Sequence, residues 1–519
     1  MELETKARNE IVDKLPFWAR ISIGVVLALI SMTLFIISFL PYTLWPAIFV
    51  AAIPYLVAQY RILPARWSAL APALATGGWI GLYFTRIFGL GGGGAWYMRT
   101  LPLWVTILVF FMEKGTRALH ERTAYRWFVL QGVASWMGFD MLRSFLPNLG
   151  TWGFLGYPLY AQRWFIQPVS IFGILGLSTL IILVNFVLTQ VVFAIFDRKW
   201  QLDSLPVLSE RATRRWAIGT GLVVIAWTAL SLALYLRPSQ SGSSLRVAAV
   251  QPNLPLAAHM DTETSQETRL ARLSEQTRQA AEQGAELVVW PELGLGFDPQ
   301  VEYTEALRKL AAETQTHIVI GYGLTTDDGF RNEATLLSPD GEFLGIYGKA
   351  HPTIFGGETY GINAGTFPVY ETPLGTLGTI ICFDLDFTDA SRKLASQGAQ
   401  FIAVPSLDFP GIAEIHYTQM VMRAVENGIA MVKADTAFDS AIVGPDGQIV
   451  DWVADPGTTE AVLVADVPLG GGGTPYTRMG DWVGWVSVAG MALFTIPNPL
   501  IKQGNKPEKS QAHILHGRQ

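Results

Sequence analysis

The sequence predicts a polytopic α-helical membrane domain joined to an extramembrane α/β domain built of layered sheets and helices. Three observations carry that prediction. Apolar runs long enough to cross a bilayer cluster in the first 240 residues. One long stretch between residues 237 and 480 instead alternates short apolar strands with polar helices. Basic residues gather in alternate loops of the apolar region. Composition agrees: 50% of the 519 residues are hydrophobic and 15% charged, against about 25% charged in an average soluble domain, which excludes disorder. A net charge of −6 without a long basic run argues against a nucleic-acid partner. Cys382 is the single cysteine, so no intramolecular disulfide and no cysteine-built metal cluster can form, and seven singly scattered histidines argue against a His-rich metal site.

A crossing helix needs about 20 mostly apolar residues, each adding about 1.5 Å to a core about 30 Å thick. Residues 21–40 carry no charge and fit. Residues 44–57 with their flanks, 67–84, 101–112, 127–142, 169–196 and 216–236 follow, and 482–497 supplies one more. The expectation is a membrane domain over residues 1–240 with about seven transmembrane helices, a C-terminal transmembrane helix at 480–500, and a cytoplasmic tail at 501–519. The first run is long and lacks a small-residue cleavage site after it, so it reads as a retained span. With the N-terminus in the cytoplasm, the inner side collects Lys6, Arg8, Lys14 and Arg20, then Arg61 and Arg66, Lys114 to Arg126, Arg198 to Arg215, and the lysines of the tail. The short outer loops keep Arg86, Arg99, Arg143 and Arg163. That asymmetry follows the positive-inside rule and puts the long polar stretch on the outer face.

Within that stretch, residues 246–250, 286–290, 317–322, 377–381 and 401–404 read as strands, and 265–283, 302–314, 389–397 and 414–427 as helices. Pro-Asp-Gly turns at 339–341 and 445–447 mark hairpins. Strands interleaved with helices imply a layered sandwich with helices over both faces. The Gly-rich stretches 89–94 and 470–473 lack the strand-before, helix-after setting of a phosphate loop and read as flexible connections.

Three reactive residue types directly follow expected strands or runs: Glu292 after 286–290, Lys349 after the run 343–347 and Cys382 after 377–381. Strand ends are where α/β folds gather their sites. A carboxylate such as Glu292 can take the proton of an attacking thiol. A fixed cation such as Lys349 favours the thiolate and stabilises an oxyanion, and a helix after Cys382 pushes the same way. The competing reading of a lone cysteine is a small buried hydrophobe. His416, on the expected helix 414–427, reads as a helix-surface or packing histidine. Arg423 and Glu426, three apart on one helix face, read as a structural pair, and Asp140 with Arg143 as an interfacial pair.

At WPE (residues 290–292), YGK (347–349) and ICFD (381–384), the region resembles the nitrilase, or carbon–nitrogen hydrolase, superfamily. The likeness extends through VAAVQPN (247–253), Asn332 and RAVENG (423–428), over roughly residues 245–470. It implies a nitrilase-like α-β-β-α sandwich and a catalytic Glu292, Lys349 and Cys382, with Glu358 in support. Coupling such a domain to membrane spans resembles the apolipoprotein N-acyltransferase branch. That likeness implies a phospholipid acyl donor, a diacylated lipoprotein acceptor, a cysteine thioester between them, and no cofactor or metal. It further implies a multi-pass protein of the bacterial inner membrane with its catalytic domain on the periplasmic side. Loops 95–98 and 409–412 are candidates for a lipid-facing entrance. Phe383 and Asp384 after the cysteine, SLDFPG at 406–411 and Met260 depart from the branch's usual residues. A membrane-tethered amidase or nitrilase using the same triad is the alternative, and a silent scaffold the third reading.

Overall fold

The computed structural model describes residues 15–89, 99–147, 149–199, 209–237, 244–254, 265–327, 329–455 and 458–495. Loop 95–98, most of the first Gly-rich stretch, Met260, the first lysines and the tail lie outside them. All eight apolar runs fall on helical segments. Phe17–Ser38, Val169–Lys199 and Glu210–Tyr235 are long and apolar enough to cross a membrane. Residues 44–57 and 67–84 are not single helices. The first breaks into Trp45–Phe49, Ile53–Val57 and Ala58–Ile62, the second into Ala65–Trp67, Leu70–Pro72, Ala73–Gly77 and Gly78–Gly89. Pro46, Pro54 and Pro72 lie in these runs, and proline removes a backbone donor and interrupts α-helical pairing. The last helix, Trp482–Thr495, lies against Phe128–Arg143, where Gly138 and Gly484 admit Ser487 and Met141 at close range. The C-terminal apolar run therefore joins the same bundle. Asp140 and Arg143 do pair, at 2.7 Å, and both are buried within the protein.

The extramembrane domain is two stacked sheets. One runs β13 (Ala461–Pro468), β1 (Ser244–Gln251), β2 (Leu287–Val289), β3 (His317–Thr326), β4 (Gly329–Leu337), β5 (Phe343–Gly348), with β6 (Glu358–Thr359) paired to β4. The other runs β7 (Val369–Thr372), β8 (Gly375–Thr379), β9 (Phe401–Ser406), β10 (Ala430–Asp435), β11 (Asp439–Val443), β12 (Ile449–Ala454). Both expected hairpins form, β4–β5 and β11–β12, each antiparallel. Strand periodicity separates two cores. Val247 and Ala249 face the core shared with the second sheet, while Ala248 and Val250 face the one that holds Leu270 and Leu273 of the helix Gln266–Glu282.

The two sheets repeat one pattern of directions, antiparallel, parallel, parallel, antiparallel, antiparallel. Register carries the repeat to individual residues. Leu287 stands between Val247 and His317, as Phe401 stands between Leu377 and Ala430. Counting forward from those rows, Glu292 and Ser406 occupy equivalent places. They meet across the seam, where the Glu292 amide donates to the Ser406 carbonyl at 3.3 Å.

Candidate active site

The seam brings the expected residues together. Lys349 follows β5, whose Gly348 lies opposite Glu333 of β4, and its amide donates to the Asn332 carbonyl at 3.0 Å. Glu358 is set by the pairing of β6 with Phe330 of β4. Buried Lys349 Nζ donates to Glu292 Oε1 at 2.8 Å and to Glu358 Oε1 at 3.0 Å. Asn332 Nδ2 donates to the same two oxygens, at 2.9 Å to Glu358. The Thr353 amide takes the second oxygen of Glu358 at 2.6 Å. Glu292 Oε2 is buried and has no hydrogen-bond partner among the described residues, which leaves one carboxylate oxygen free to accept a proton.

Cys382 opens a 3₁₀ turn, Cys382–Asp386, with φ +40°, a left-handed conformation that costs a side-chain-bearing residue about 1–2 kcal/mol. Strain of this kind gathers at functional sites. Asp384 stabilises the turn: it accepts from the Ile381 amide at 3.0 Å, the His351 amide at 2.9 Å and Tyr347 Oη at 2.7 Å. Sγ is buried and lies 3.8 Å from both the Leu407 carbonyl and Asp408 Oδ1.

The electrostatics revise one expectation. Burial pushes the Cys382 thiol well above its usual range, Glu292 and Asp408 add to the rise, and Lys349 only opposes it. The resting group is therefore a thiol, not the thiolate that Lys349 alone would favour. Burial likewise raises Glu292, making it a stronger base than an exposed carboxylate. Burial works against the Lys349 ammonium, but Glu292 and Glu358 outweigh it and hold it charged. For Glu358, Lys349 outweighs burial and keeps it ionised.

On the other side of Cys382 lies a buried charge network that sequence reasoning missed. His416 Nδ1 meets Asp408 Oδ1 at 2.8 Å, and its Nε2 lies 3.3 Å from Asp386 Oδ1. Lys433 Nζ donates to Asp408 Oδ2 at 2.8 Å, and Ser406 Oγ to Asp408 Oδ1 at 2.9 Å. Read as a helix-packing residue, His416 is instead clamped between two carboxylates. Its sequence signals were a likeness to a family position and its place on the expected helix 414–427; the structure puts it one residue before the helix Tyr417–Asn427. Cys382, Asp408 and His416 bring possible metal-ligand atoms within 4.8 Å of one another. The set suits a cation poorly, since Lys433 and Ser406 already occupy Asp408, and His416 is held as imidazolium by Asp408 and Asp386 against the cost of burial, pushed up to about 10. Arg423 and Glu426 do pair, at 2.9 Å and fully buried. In loop 409–412, Phe409 and Ile412 pack with Phe84, Ile87 and Trp152 of the membrane domain.

Two family models match the chain. Residues 246–474 match the carbon-nitrogen hydrolase family, and residues 31–187 match the apolipoprotein N-acyltransferase N-terminal domain. An apolipoprotein N-acyltransferase of Geobacter metallireducens is 29% identical over 69% of this chain and 72% of its own length. One from a Synechocystis species is 25% identical over 75% of this chain and 78% of its own. A nitrilase of Pyrococcus abyssi is 31% identical over 43% of this chain and 90% of its own.

Proposed function

Since the chain belongs to the carbon–nitrogen hydrolase superfamily, in its apolipoprotein N-acyltransferase branch, we propose that it moves a fatty acyl chain from a phospholipid, through a thioester on Cys382, to the N-terminal amine of a diacylglyceryl-cysteine lipoprotein. The observation that carries this reading is the buried ammonium of Lys349 bridging Glu292 and Glu358 beside the only cysteine, in a chain that also matches the N-terminal membrane domain of that branch.

As Sγ attacks the ester carbonyl, its proton passes to the free oxygen of Glu292, which suits a thiol that is neutral at rest. Lys349 stabilises the oxyanion of the tetrahedral intermediate. Collapse breaks the ester bond, and Glu292 returns the proton to the departing lysophospholipid alkoxide. In the second half, the acceptor amine attacks the thioester and yields its proton to Glu292, the C–S bond breaks, and the thiol is restored. Both substrates are lipid-anchored, so a membrane base beside the site suits their sideways approach. The chain is a membrane protein. We assign it several passes in the bacterial inner membrane, with residues 245–470 as the catalytic domain on the periplasmic face.

The test is mass spectrometry of the purified chain after incubation with phospholipid. The expected result is an acyl adduct on Cys382 that a diacylated lipopeptide discharges. An unmodified Cys382 under those conditions sinks the proposal. The 31% identity to a nitrilase favours a second reading, a membrane-tethered hydrolase, for which the signature is turnover of a soluble amide without lipid.

A further inference from the structure

The turn that begins with the nucleophile ends on Asp386, and Asp386 is held by the membrane domain. Thr151 donates to the Asp386 carbonyl through its amide at 2.8 Å and its hydroxyl at 2.9 Å. Trp152 Nε1 donates to Asp386 Oδ2 at 2.6 Å. Gly150 packs so closely on the Asp386 carbonyl that a Cβ there would collide with it. The other carboxylate oxygen of Asp386 faces His416, whose second nitrogen holds Asp408, and Asp408 lies 3.8 Å from Sγ. Trp152, Asp386, His416, Asp408 and Lys433 are all buried.

We propose that loop 149–152 of the membrane domain, acting through Asp386 and His416, is a positioning device for the nucleophile: it fixes the strained turn at Cys382 and supplies the buried cation that screens Asp408 from the sulfur. Burying this many charges is costly, and a seam that needed only packing would be more stable lined with apolar side chains. The groups facing Sγ are Glu292 and Lys349 from the first sheet and Asp408 from the loop after β9; His416, Lys433 and Asp386 stand behind Asp408. Asp408 raises the thiol, and the two cations that pair with Asp408 are His416 and Lys433, each at 2.8 Å. The placement also puts the end of the Cys382–Asp386 turn in the hands of the membrane domain, so the two halves of the chain share the site.

The inference rests on Cys382 as the nucleophile and is tested without relying on acyl transfer. Because Cys382 is the single cysteine, iodoacetamide labelling read by intact mass reports its reactivity directly. The variants are His416→Gln, Asp386→Asn and Trp152→Phe, the last keeping an aromatic ring beside His416 while deleting the N–H. For His416→Gln, the expected result is a labelling profile displaced to higher pH, with labelling at pH 8 slower by about tenfold for each unit of thiol pKa. Trp152→Phe should displace it less, in the same direction. Turnover with phospholipid and lipopeptide should show kcat lowered and KM for phospholipid unchanged. Labelling profiles and kcat that match the native chain in Trp152→Phe and Asp386→Asn overturn the proposal, even should His416→Gln fail to fold. Displaced labelling in a chain that never transfers acyl groups leaves the positioning role standing and removes the proposed function instead.

Discussion

Lys349 holds two buried carboxylates apart, and the charge count around it decides which substitution the fold tolerates. Replacing Glu292 by Gln leaves Lys349 paired with Glu358 at 3.0 Å and Asn332 still in place. Replacing Lys349 by Met leaves Glu292 and Glu358 buried without their shared cation, a loss of about 3–5 kcal/mol when one partner of a buried pair is removed. Thermal unfolding in detergent should therefore rank Lys349→Met well below Glu292→Gln, and the opposite order would remove the bridging role. Activity should respond the other way. Losing the base should slow acylation of Cys382 by about 10²–10⁴-fold. Glu292 works only when ionised, and burial raises its pKa, so native acylation should climb with pH through a midpoint above that of an ordinary glutamate. That acid limb should vanish in Glu292→Gln. Glu292, Lys349 and Cys382 could be singled out because each follows an apolar run and stands in a short motif, WPE, YGK or ICFD, all local signals. Asp386, Asp408 and Lys433 were not, since nothing local marks a residue whose partners arrive from other strands and from the membrane domain.

The helix Tyr417–Asn427 shows the same limit one level up. Its position was legible, but every one of its residues is buried, so its polar stripe of Gln419, Arg423, Glu426 and Asn427 faces protein where an amphipathic pattern would point it at water. Strand β10, Ala430–Asp435, escaped notice because Lys433 and Asp435 interrupt its apolar run, although both are buried and paired with each other's network. Strands β7 and β13 were missed as well; they are the partners of β8 and β1. His416, at the start of that helix, makes the element pH-sensitive. Its folded pKa, about 10, lies above the ordinary 6.5. The stability it contributes is thus fully present below pH 6.5 and is lost as pH rises toward 10. The carboxylates Glu426 and Asp439, raised to about 7, impose a penalty that grows as they ionise and levels off above that pH. Between pH 7 and pH 9, His416 is therefore the group to watch. The unfolding midpoint of the native chain should fall across that window, while His416→Gln should stay nearly flat. Parallel curves would mean that His416 is neutral in the fold.

At the scale of the whole molecule, the two domains are joined by polar and close backbone contacts as well as by apolar packing. Glu426 Oε1 accepts from the Ile174 amide at 2.8 Å, next to Gly173, whose φ of +66° breaks the helix Val169–Lys199. Gly411 has no room for a Cβ beside the carbonyls of Arg86 and Ile87. Such contacts tie the catalytic seam to one side of the membrane bundle, so the orientation of any one residue of the sandwich reports the orientation of all. Cys382 itself is a poor reporter of orientation because it is buried from a bulky maleimide. Val301 is 76% exposed and stands just ahead of the helix Thr304–Thr314, outside the buried triad. In a Cys382→Ala background, Val301→Cys should react with a membrane-impermeant maleimide in cells whose inner membrane is intact and whose outer barrier has been opened. Basic residues in the expected inner loops, Arg61, Arg66, Arg117 and Arg126 among them, should hold the bundle in that orientation. Labelling that appears only after lysis of the inner membrane would turn the chain over, and with it the assignment of a periplasmic lipoprotein acceptor.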